Sequence, residues 1–207
     1  MKITRTSNAG VLVELDGMSI LLDGVCEGLY PYLPTPDSLK TMLVEHLPDV
    51  VAFTHTHKDH YDDNYVKFYK NEKLRSFFGP ELSLIESVSN EITLQVIPTR
   101  HIGKFNIQHA SFVIRGSKTI LFTGDASPLV WKNIELENSP DVLIVPYAYA
   151  LSAPAFRITK SFEAKKIILV HMPDKNDDPQ KLWPTVSEMV GDDSSFIFLE
   201  IGESIDI

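Results

Sequence analysis

Short apolar runs alternate with polar segments along the chain, and most of the runs have the length of a β-strand. Two of them, residues 10–15 and 18–22, flank Asp16-Gly17, a dipeptide that favours a tight hairpin turn. Further strands are predicted at residues 50–53, 74–78, 92–98, 112–115, 119–122, 141–146 and 167–170. The last two runs, residues 196–201 and 204–207, are predicted to form a closing hairpin.

Apolar residues recur at helical spacing in the segments between these strands. Leu39, Met42 and Leu43 predict a helix with Asp37 as its N-cap and an end near His46. The other predicted helices are residues 61–70, 81–87, 131–138, 154–165 and 179–190. This pattern alone indicates a mixed α/β or α+β class. Since the sequence contains no repeat, low-complexity segment or linker, we expect one domain over residues 1–207.

A polar cluster directly follows the apolar run at residues 50–53. It contains three histidines and an aspartate within six positions: His55, His57, Asp59 and His60. In an extended chain His55 and His57 point to the same side, so both imidazoles can reach one ion. Asp59 and His60 follow as the chain turns and can face a second ion. Nitrogen and carboxylate ligands suit zinc, iron or manganese, whereas the alternative interpretation is a solvated histidine-rich turn.

Composition and charge favour a globular protein and argue against several other classes. With 207 residues, 43% of them hydrophobic and 23% charged, the chain is typical of a globular protein with a substantial core. A net charge of -9 is a poor match to proteins that bind the phosphate backbone of nucleic acids. The one cysteine, Cys26, permits neither an internal disulfide nor a cysteine-based zinc site, which fits a reducing, cytoplasmic setting. No apolar run approaches the ~20 residues of a membrane helix, and the N-terminus lacks a signal-peptide core.

Three later strands also end in residues that can bind metal. His101 follows residues 92–98, Asp125 follows residues 119–122 after Thr-Gly, and His171 follows residues 167–170. Each signal is weak alone, because Gly-Asp ends many strands as a turn and a histidine at a strand end is often a core residue. A carboxylate such as Asp125 has two oxygens, however, and can hold two cations about 3.5–4 Å apart.

The order and strand context of these motifs resemble the metallo-β-lactamase superfamily. The resemblance extends from Asp23 to the C-terminal strands and is strongest in His-x-His-x-Asp-His at residues 55–60. It implies an α+β fold, an αββα sandwich of two mixed β-sheets with helices on the outer faces and the site at one edge. Among its members, the chain looks most similar to the small stand-alone metal-dependent hydrolases.

The resemblance also implies a set of metal ligands and their grouping. His55, His57 and His101 would hold the first metal, with His109 as the competitor to His101. The second metal would be held by Asp59, His60 and His171, and both metals would share the bridging carboxylate of Asp125. Asp23 would orient a ligand histidine from behind, or would only start a turn with Gly24.

From this ligand set we expect two divalent metal ions, with zinc preferred over manganese or iron, and a bridging hydroxide as nucleophile. Asp59 would orient the hydroxide or pass a proton to the leaving group. The expected reaction is hydrolysis of an ester, lactone, amide or phosphodiester bond in a small-molecule substrate. The alternatives are an iron-dependent oxidoreductase on the same fold, a nuclease or cyclic-nucleotide phosphodiesterase, and a non-catalytic metal-binding protein.

The loops expected to select the substrate are residues 25–36, 102–109 and 147–157, and none of them indicates a particular ligand. In the first, Cys26, Tyr30 and Tyr32 are potential pocket residues. Tyr147 and Tyr149 follow Pro146, where many members of the superfamily have a Pro-x-Gly turn. We expect these two tyrosines either to contact the substrate or, with more weight, to pack in the core.

Overall fold

Two β-sheets packed face to face form the centre of the molecule. The computed structural model describes residues 1–72, 76–81, 84–103 and 107–207. The first sheet has the strand order β13-β1-β2-β3-β4-β5. Its strands are β1 (Lys2–Arg5), β2 (Val11–Leu15), β3 (Met18–Leu22), β4 (Val50–Ala52), β5 (Ser76–Phe78) and β13 (Ser204–Asp206). The pairs from β13 to β3 are antiparallel, and β3, β4 and β5 run parallel.

The second sheet has the strand order β12-β11-β10-β9-β8-β7-β6. Its strands are β6 (Leu84–Ser87), β7 (Thr93–Pro98), β8 (Ala110–Arg115), β9 (Thr119–Phe122), β10 (Val142–Pro146), β11 (Lys166–Val170) and β12 (Phe196–Phe198). Strands β6 to β9 form an antiparallel meander, and β9 to β12 are parallel. Both sheets are therefore mixed, as the sequence led us to expect.

Helices cover the outer faces of both sheets. They are α1 (Asp37–Glu45), α2 (Asp63–Asn71), α3 (Ala153–Ser161) and α4 (Leu182–Val190), and two short 3-10 helices span Pro128–Asn133 and Tyr147–Tyr149. Leu43 of α1 and Tyr65 of α2 pack on the outer face of the first sheet. Ile158 of α3 and Val186 of α4 pack on the outer face of the second. No helix among the described residues is long and apolar enough to cross a membrane.

The largest apolar layer lies between the two sheets. It combines residues of the first sheet, such as Val13 and Ile20, with residues of the second, such as Phe112 and Ile144. All four are completely buried. Because side chains alternate between the faces of a strand, the other positions of β3 and β10, including Leu21 and Leu143, face the helices. The four layers thus form the αββα sandwich that the resemblance implies.

Four predicted elements differ from the structure. In place of the helix at residues 81–87, Leu84–Ser87 is a strand that pairs with β7, so partner contacts override the local helical pattern. The helix at 131–138 is the 3-10 helix Pro128–Asn133. Pro36, rather than Asp37, occupies the N-cap position of α1. The predicted strand start at Leu74 lies outside the described residues.

The closing hairpin is the fourth difference, because its two strands belong to different sheets. Strand β12 pairs in parallel with β11, whereas β13 pairs with β1, an N-terminal strand that the sequence pattern had not revealed. The turn at Gly202 carries the chain from one sheet to the other, and its φ of 94° is one that glycine adopts without strain. The C-terminal segment therefore closes the sandwich by joining both sheets.

Candidate metal centre

All seven predicted metal ligands lie at carboxyl ends of strands, along one edge of the sandwich. The segment after β4, in the first sheet, carries His55, His57, Asp59 and His60. The second sheet supplies the other three residues, which follow β7, β9 and β11: His101, Asp125 and His171. Since the two sheets face each other, residues far apart in the sequence meet at this edge.

His55, His57 and His101 form the first group of potential ligands. One ligating nitrogen from each lies within 4.8 Å of the others. Their ring centroids are 4.6 Å apart for His55 and His57, 4.9 Å for His55 and His101, and 5.0 Å for His57 and His101. Three imidazoles in a nearly equilateral arrangement match the donor set of one transition-metal ion.

Asp59, His60 and His171 form the second group, whose ligating atoms also lie within 4.8 Å of one another. The His171 Nε2 atom is 3.2 Å from Asp59 Oδ2. His171 has a φ of 63°, which turns the chain sharply at the end of β11. Its backbone N–H donates to the carbonyl oxygen of Asn8, at 2.9 Å, so the N-terminal segment supports this turn.

The Asp125 carboxylate lies between the two groups. Its Oδ2 atom is 3.4 Å from His60 Nε2 and 3.4 Å from His171 Nε2, both in the second group. The same oxygen is 3.6 Å from His101 Nε2 in the first group. One carboxylate oxygen of Asp125 thus lies close to histidines of both groups.

Asp23 lies behind the two groups and controls the orientation of two predicted ligands. Its Oδ2 atom accepts a hydrogen bond from His60 Nδ1 at 2.8 Å and another from Thr54 Oγ1 at 2.6 Å. Because the Thr54 hydroxyl donates to Asp23, it accepts a hydrogen bond from His55 Nδ1, at 2.9 Å. Both histidines therefore direct their Nε2 atoms into the site. Asp23 also has the positive φ of a turn residue, so both of its predicted roles apply.

His109 lies at the floor of the site but outside both groups. Its ring is 5.2 Å from the His55 ring and 5.7 Å from the His101 ring. A chain of hydrogen bonds runs from His109 Nδ1 through Thr99 and Ser111 to the carbonyl oxygen of Thr123. Since the Ser111 hydroxyl donates to that carbonyl, Thr99 donates to Ser111 and accepts from His109. His101, rather than its competitor His109, is the histidine that the structure groups with His55 and His57.

Burial and neighbouring charges shift the pKa values of the carboxylates and histidines in this site. Burial alone would raise the pKa of Asp125, but His171 and His60 hold it well below its usual range. Burial alone would lower the pKa of His171, but Asp125 and Asp59 raise it to about 9. In contrast, burial lowers the pKa of His55 and brings that of His109 to about 3, so both imidazoles are neutral. The carboxylates therefore favour a positive charge among them.

Several buried polar atoms at the site make no hydrogen bond within the described part of the chain. They are the Nε2 atoms of His55 and His109, together with Asp59 Oδ1. A buried polar atom without a partner costs about 1–3 kcal/mol, so such a cluster requires a compensating group. The imidazole nitrogens and carboxylate oxygens of the two groups fit zinc, iron or manganese. His109, outside both groups, keeps its lone pair for a different polar partner.

The tyrosines named from the sequence have different surroundings. Tyr149 is buried and structural, because its hydroxyl accepts from Trp131 Nε1 and donates to the carbonyl oxygen of Ala126. Tyr32 and Tyr147 border His171, whereas Tyr30 is exposed. Cys26 is buried beside Thr35, away from solvent.

Sequence analysis missed the polar residues that hold the ligands in place. Thr54 orients His55, and Thr99 orients His109 from ten positions away along the chain. A threonine is an ordinary strand residue, so neither one indicates a function by itself. Their position at the ends of strands that lead into histidines is the one signal that could have identified them.

Comparison with solved structures identifies the fold. The chain matches a metallo-β-lactamase fold protein from Bacillus subtilis with a TM-score of 0.61 and 16% identity over 99% of each chain. It matches an isothiocyanate hydrolase from Delia radicum gut bacteria with a TM-score of 0.69 and 15% identity, over 100% of this chain and 99% of that one. A possible metal-dependent hydrolase from Veillonella parvula gives a TM-score of 0.70 and 19% identity, with the same coverage. This chain therefore has the metallo-β-lactamase fold.

A fourth matched structure is described as an iron-dependent hydroxylase and not as a hydrolase. A diiron β-hydroxylase from Streptomyces venezuelae gives a TM-score of 0.64 and 13% identity, over 100% of this chain and 54% of that one. No family model matches the sequence, and no curated protein matches it. At these identities the matches establish the fold only, because proteins with one fold can have different activities.

Proposed function

We propose that this protein is a hydrolase that works with two divalent metal ions, preferably zinc. The observation that carries the proposal is the position of Asp125, whose Oδ2 atom is 3.4–3.6 Å from histidines of both ligand groups. A carboxylate in this position neutralises part of the charge of two neighbouring cations. The proposal therefore assigns His55, His57 and His101 to the first ion, Asp59, His60 and His171 to the second, and Asp125 to both.

The metals would supply a nucleophile at neutral pH and polarise the bond to be cleaved, because bound cations lower the pKa of water and draw electrons from a substrate oxygen. The surrounding residues do the remaining work. Asp23 and Thr54 keep the Nε2 lone pairs of His60 and His55 directed at the site. Asp59 Oδ1 is a buried acceptor without a hydrogen-bond partner among the described residues, so it can accept the proton of the attacking water.

The substrate class in this proposal is a small molecule with an ester, lactone, amide or phosphodiester bond. The net charge of -9 argues against a nucleic-acid substrate, whose phosphates would be repelled. An isothiocyanate joins the candidates because one matched structure is described as an isothiocyanate hydrolase. The proposed location is the cytoplasm, because the single cysteine is buried and not in a disulfide, which suits a reducing compartment.

Iron-dependent oxidation is the second candidate, and the match to a diiron β-hydroxylase is the observation that favours it. Histidine and carboxylate ligands suit iron as well as zinc. Metal identity separates the two candidates: a protein purified with iron that turns over an oxidisable substrate supports the second. The histidine-rich first group, with three imidazoles, favours zinc.

Elemental analysis of the purified protein is the first test. We expect about two zinc or manganese ions per chain, followed by hydrolysis of at least one compound in a panel of esters, lactones, phosphodiesters and isothiocyanates. Asp125→Ala and His57→Ala should lose metal and reduce activity by more than about 100-fold, beyond the usual effect of residues behind the ligands. His46→Ala, an exposed histidine at the end of α1, is the matched control.

Two results would contradict the proposal. One is a parent protein that neither contains metal nor takes it up on titration, which would indicate a binding protein on this fold. The other is an Asp125→Ala or His57→Ala variant that hydrolyses the panel as fast as the parent. Circular dichroism of each variant establishes that the fold is retained.

A further inference from the structure

Two tyrosines from different loops meet beside the second ligand group. The Tyr32 ring lies edge-on against the His171 ring, with centroids 4.4 Å apart and planes at 81°. The Tyr147 ring is 6.0 Å from the same histidine. Their hydroxyl oxygens are 3.4 Å apart, and both residues are half-buried. The pair therefore forms an accessible wall of the site, next to a predicted metal ligand.

The hydroxyl pair retains a hydrogen that another acceptor can use. Each phenol carries one hydrogen, and a single hydrogen bond between the two groups uses only one of them. Within the described residues, these hydroxyls bond only to each other. A hydroxyl that still has a hydrogen to donate, on a partly exposed residue beside a cluster of candidate ligands, is suited to contact a substrate.

The Tyr32 side chain ends in a phenol, which can both donate and accept a hydrogen bond. Its ring contacts His171, which the structure groups with Asp59 and His60 and whose Nε2 atom is 3.4 Å from Asp125 Oδ2, so the phenol belongs to the same edge of the sandwich as these carboxylates. A neutral phenol of this kind is a hydrogen-bond donor and not an anion that would repel a negatively charged substrate oxygen.

We propose that the Tyr32 hydroxyl, oriented by Tyr147, donates a hydrogen bond to the substrate oxygen that gains negative charge when the bond is attacked. This inference rests on the proposed hydrolase function. As the nucleophile adds, one electron pair of the attacked double bond moves onto that oxygen, and the phenol stabilises the charge without giving up its proton. A fixed donor directed at a developing charge favours the transition state over the bound substrate.

The contrast with Tyr149 separates this role from simple packing. The Tyr149 hydroxyl both accepts and donates within the core, with Trp131 and Ala126, so it has no capacity left for a ligand. Tyr32 comes from residues 25–36, one of the three loops expected to select the substrate, and faces Tyr147 of another, residues 147–157. The wall formed by these two aromatic rings also suits a substrate with a planar or apolar group beside the reacting bond.

The test compares Tyr32→Phe, Tyr147→Phe and the matched control Tyr30→Phe. Phenylalanine keeps the ring against His171 and removes only the hydroxyl. Tyr30 belongs to the same loop but is 74% exposed. For Tyr32→Phe we expect kcat to fall about 10- to 100-fold on a hydrolysed compound of the panel, with KM changed less than about threefold. Tyr147→Phe should have a smaller effect, about three- to tenfold, because the donor remains but its orientation is lost.

A binding measurement gives a readout independent of turnover. Phenylphosphonate, an aromatic anion, is titrated calorimetrically into the metal-loaded protein, and metal content is measured in every variant. Tyr32→Phe should bind this probe about tenfold more weakly at unchanged metal content, while Tyr30→Phe binds it as the parent does.

The outcomes distinguish this inference from the proposed function. Unchanged phenylphosphonate affinity and unchanged kcat in Tyr32→Phe would overturn the role of Tyr32. Loss of metal from that variant would also overturn it, because the hydroxyl would then support His171 and not the substrate. If the parent hydrolyses nothing in the panel, the proposed function fails, while the affinity measurement still decides whether Tyr32 holds an anion.

Discussion

At the scale of single residues, the site depends on hydrogen bonds that fix which imidazole nitrogen is free. Asp23 acts on His60 directly and on His55 through the Thr54 hydroxyl. Because one carboxylate orients a histidine from each ligand group, the two groups are set relative to each other before any ion binds. A change at Asp23 should therefore affect both groups together.

The identity of the third histidine in the first group leads to a prediction. Replacing His101 by alanine should reduce the metal content to about one ion per chain, because His55 and His57 alone hold an ion weakly. The His109→Ala variant should keep both ions, since the His109 ring lies outside either group. Elemental analysis after dialysis measures the difference. If His109→Ala lost metal while His101→Ala retained it, His109 and not His101 would be the third histidine of the first group.

The sequence indicates the candidate ligands more readily than the residues that orient them. His55, His57, Asp59 and His60 are recognisable as candidates because four residues able to bind metal follow a single apolar strand. The supports, such as Thr54 and Ser111, act through contacts with residues far along the chain. Ordinary polar residues carry no pattern that reveals such contacts before the fold is known.

At the scale of secondary structure, α2 begins immediately after the ligand segment and anchors it. The Asp62 side chain accepts hydrogen bonds from the backbone N–H groups of Asn64 and Tyr65, both at 3.0 Å, and it pairs with Lys40 at 2.8 Å. The cap residue lies only two residues after His60, and the helix begins at the next position. The buried residues Tyr65 and Tyr69 then attach α2 to the first sheet.

Removal of this cap should destabilise the protein. Asp62→Ala leaves two N–H groups of the helix without an acceptor, so we expect the free energy of unfolding to fall by about 1 kcal/mol. Asp62→Asn keeps an oxygen acceptor and should lose less than half of that amount. Urea denaturation of the two variants measures the difference. Equal losses would mean that the ion pair with Lys40, rather than the cap, stabilises this end of α2.

Elements with strong local patterns were predicted correctly, and those that depend on a distant partner were not. The hairpin of β2 and β3 has both alternation and a turn dipeptide, and it is present as predicted. Strand β6, predicted as a helix, pairs with β7, and β13, predicted as a strand of a hairpin, pairs instead with the unpredicted strand β1. Such pairings depend on the assembled sheets, so the sequence of the strand alone cannot indicate them.

At the scale of the whole molecule, Arg5 connects three parts of the chain. Its guanidinium group is buried and donates to the carbonyl oxygens of Ser7, Asn8, Leu199 and Met172. Burial lowers its pKa to about 10, while Asp174, Glu200 and Cys26 oppose that effect. One side chain thereby links the N-terminal segment, the turn after His171 and the segment after β12.

Loss of this group should weaken the sandwich and the site together. Arg5→Met leaves several buried carbonyls without donors, so we expect the free energy of unfolding to fall by about 3 kcal/mol or more. Arg5→Lys keeps a charge but lacks the planar fork, and it should show an intermediate loss. Urea denaturation measures stability, and zinc titration measures the affinity of the second group. An Arg5→Met variant as stable as the parent would show that these carbonyls find other partners.

The seven predicted ligands come from both sheets, four from the first and three from the second. A chain in which one sheet has paired in the wrong register would bring only part of the set together. Ions held there would then act as a check on assembly, since only a correctly packed sandwich could retain both. Metal supply during synthesis would therefore influence the yield of native protein as well as its activity.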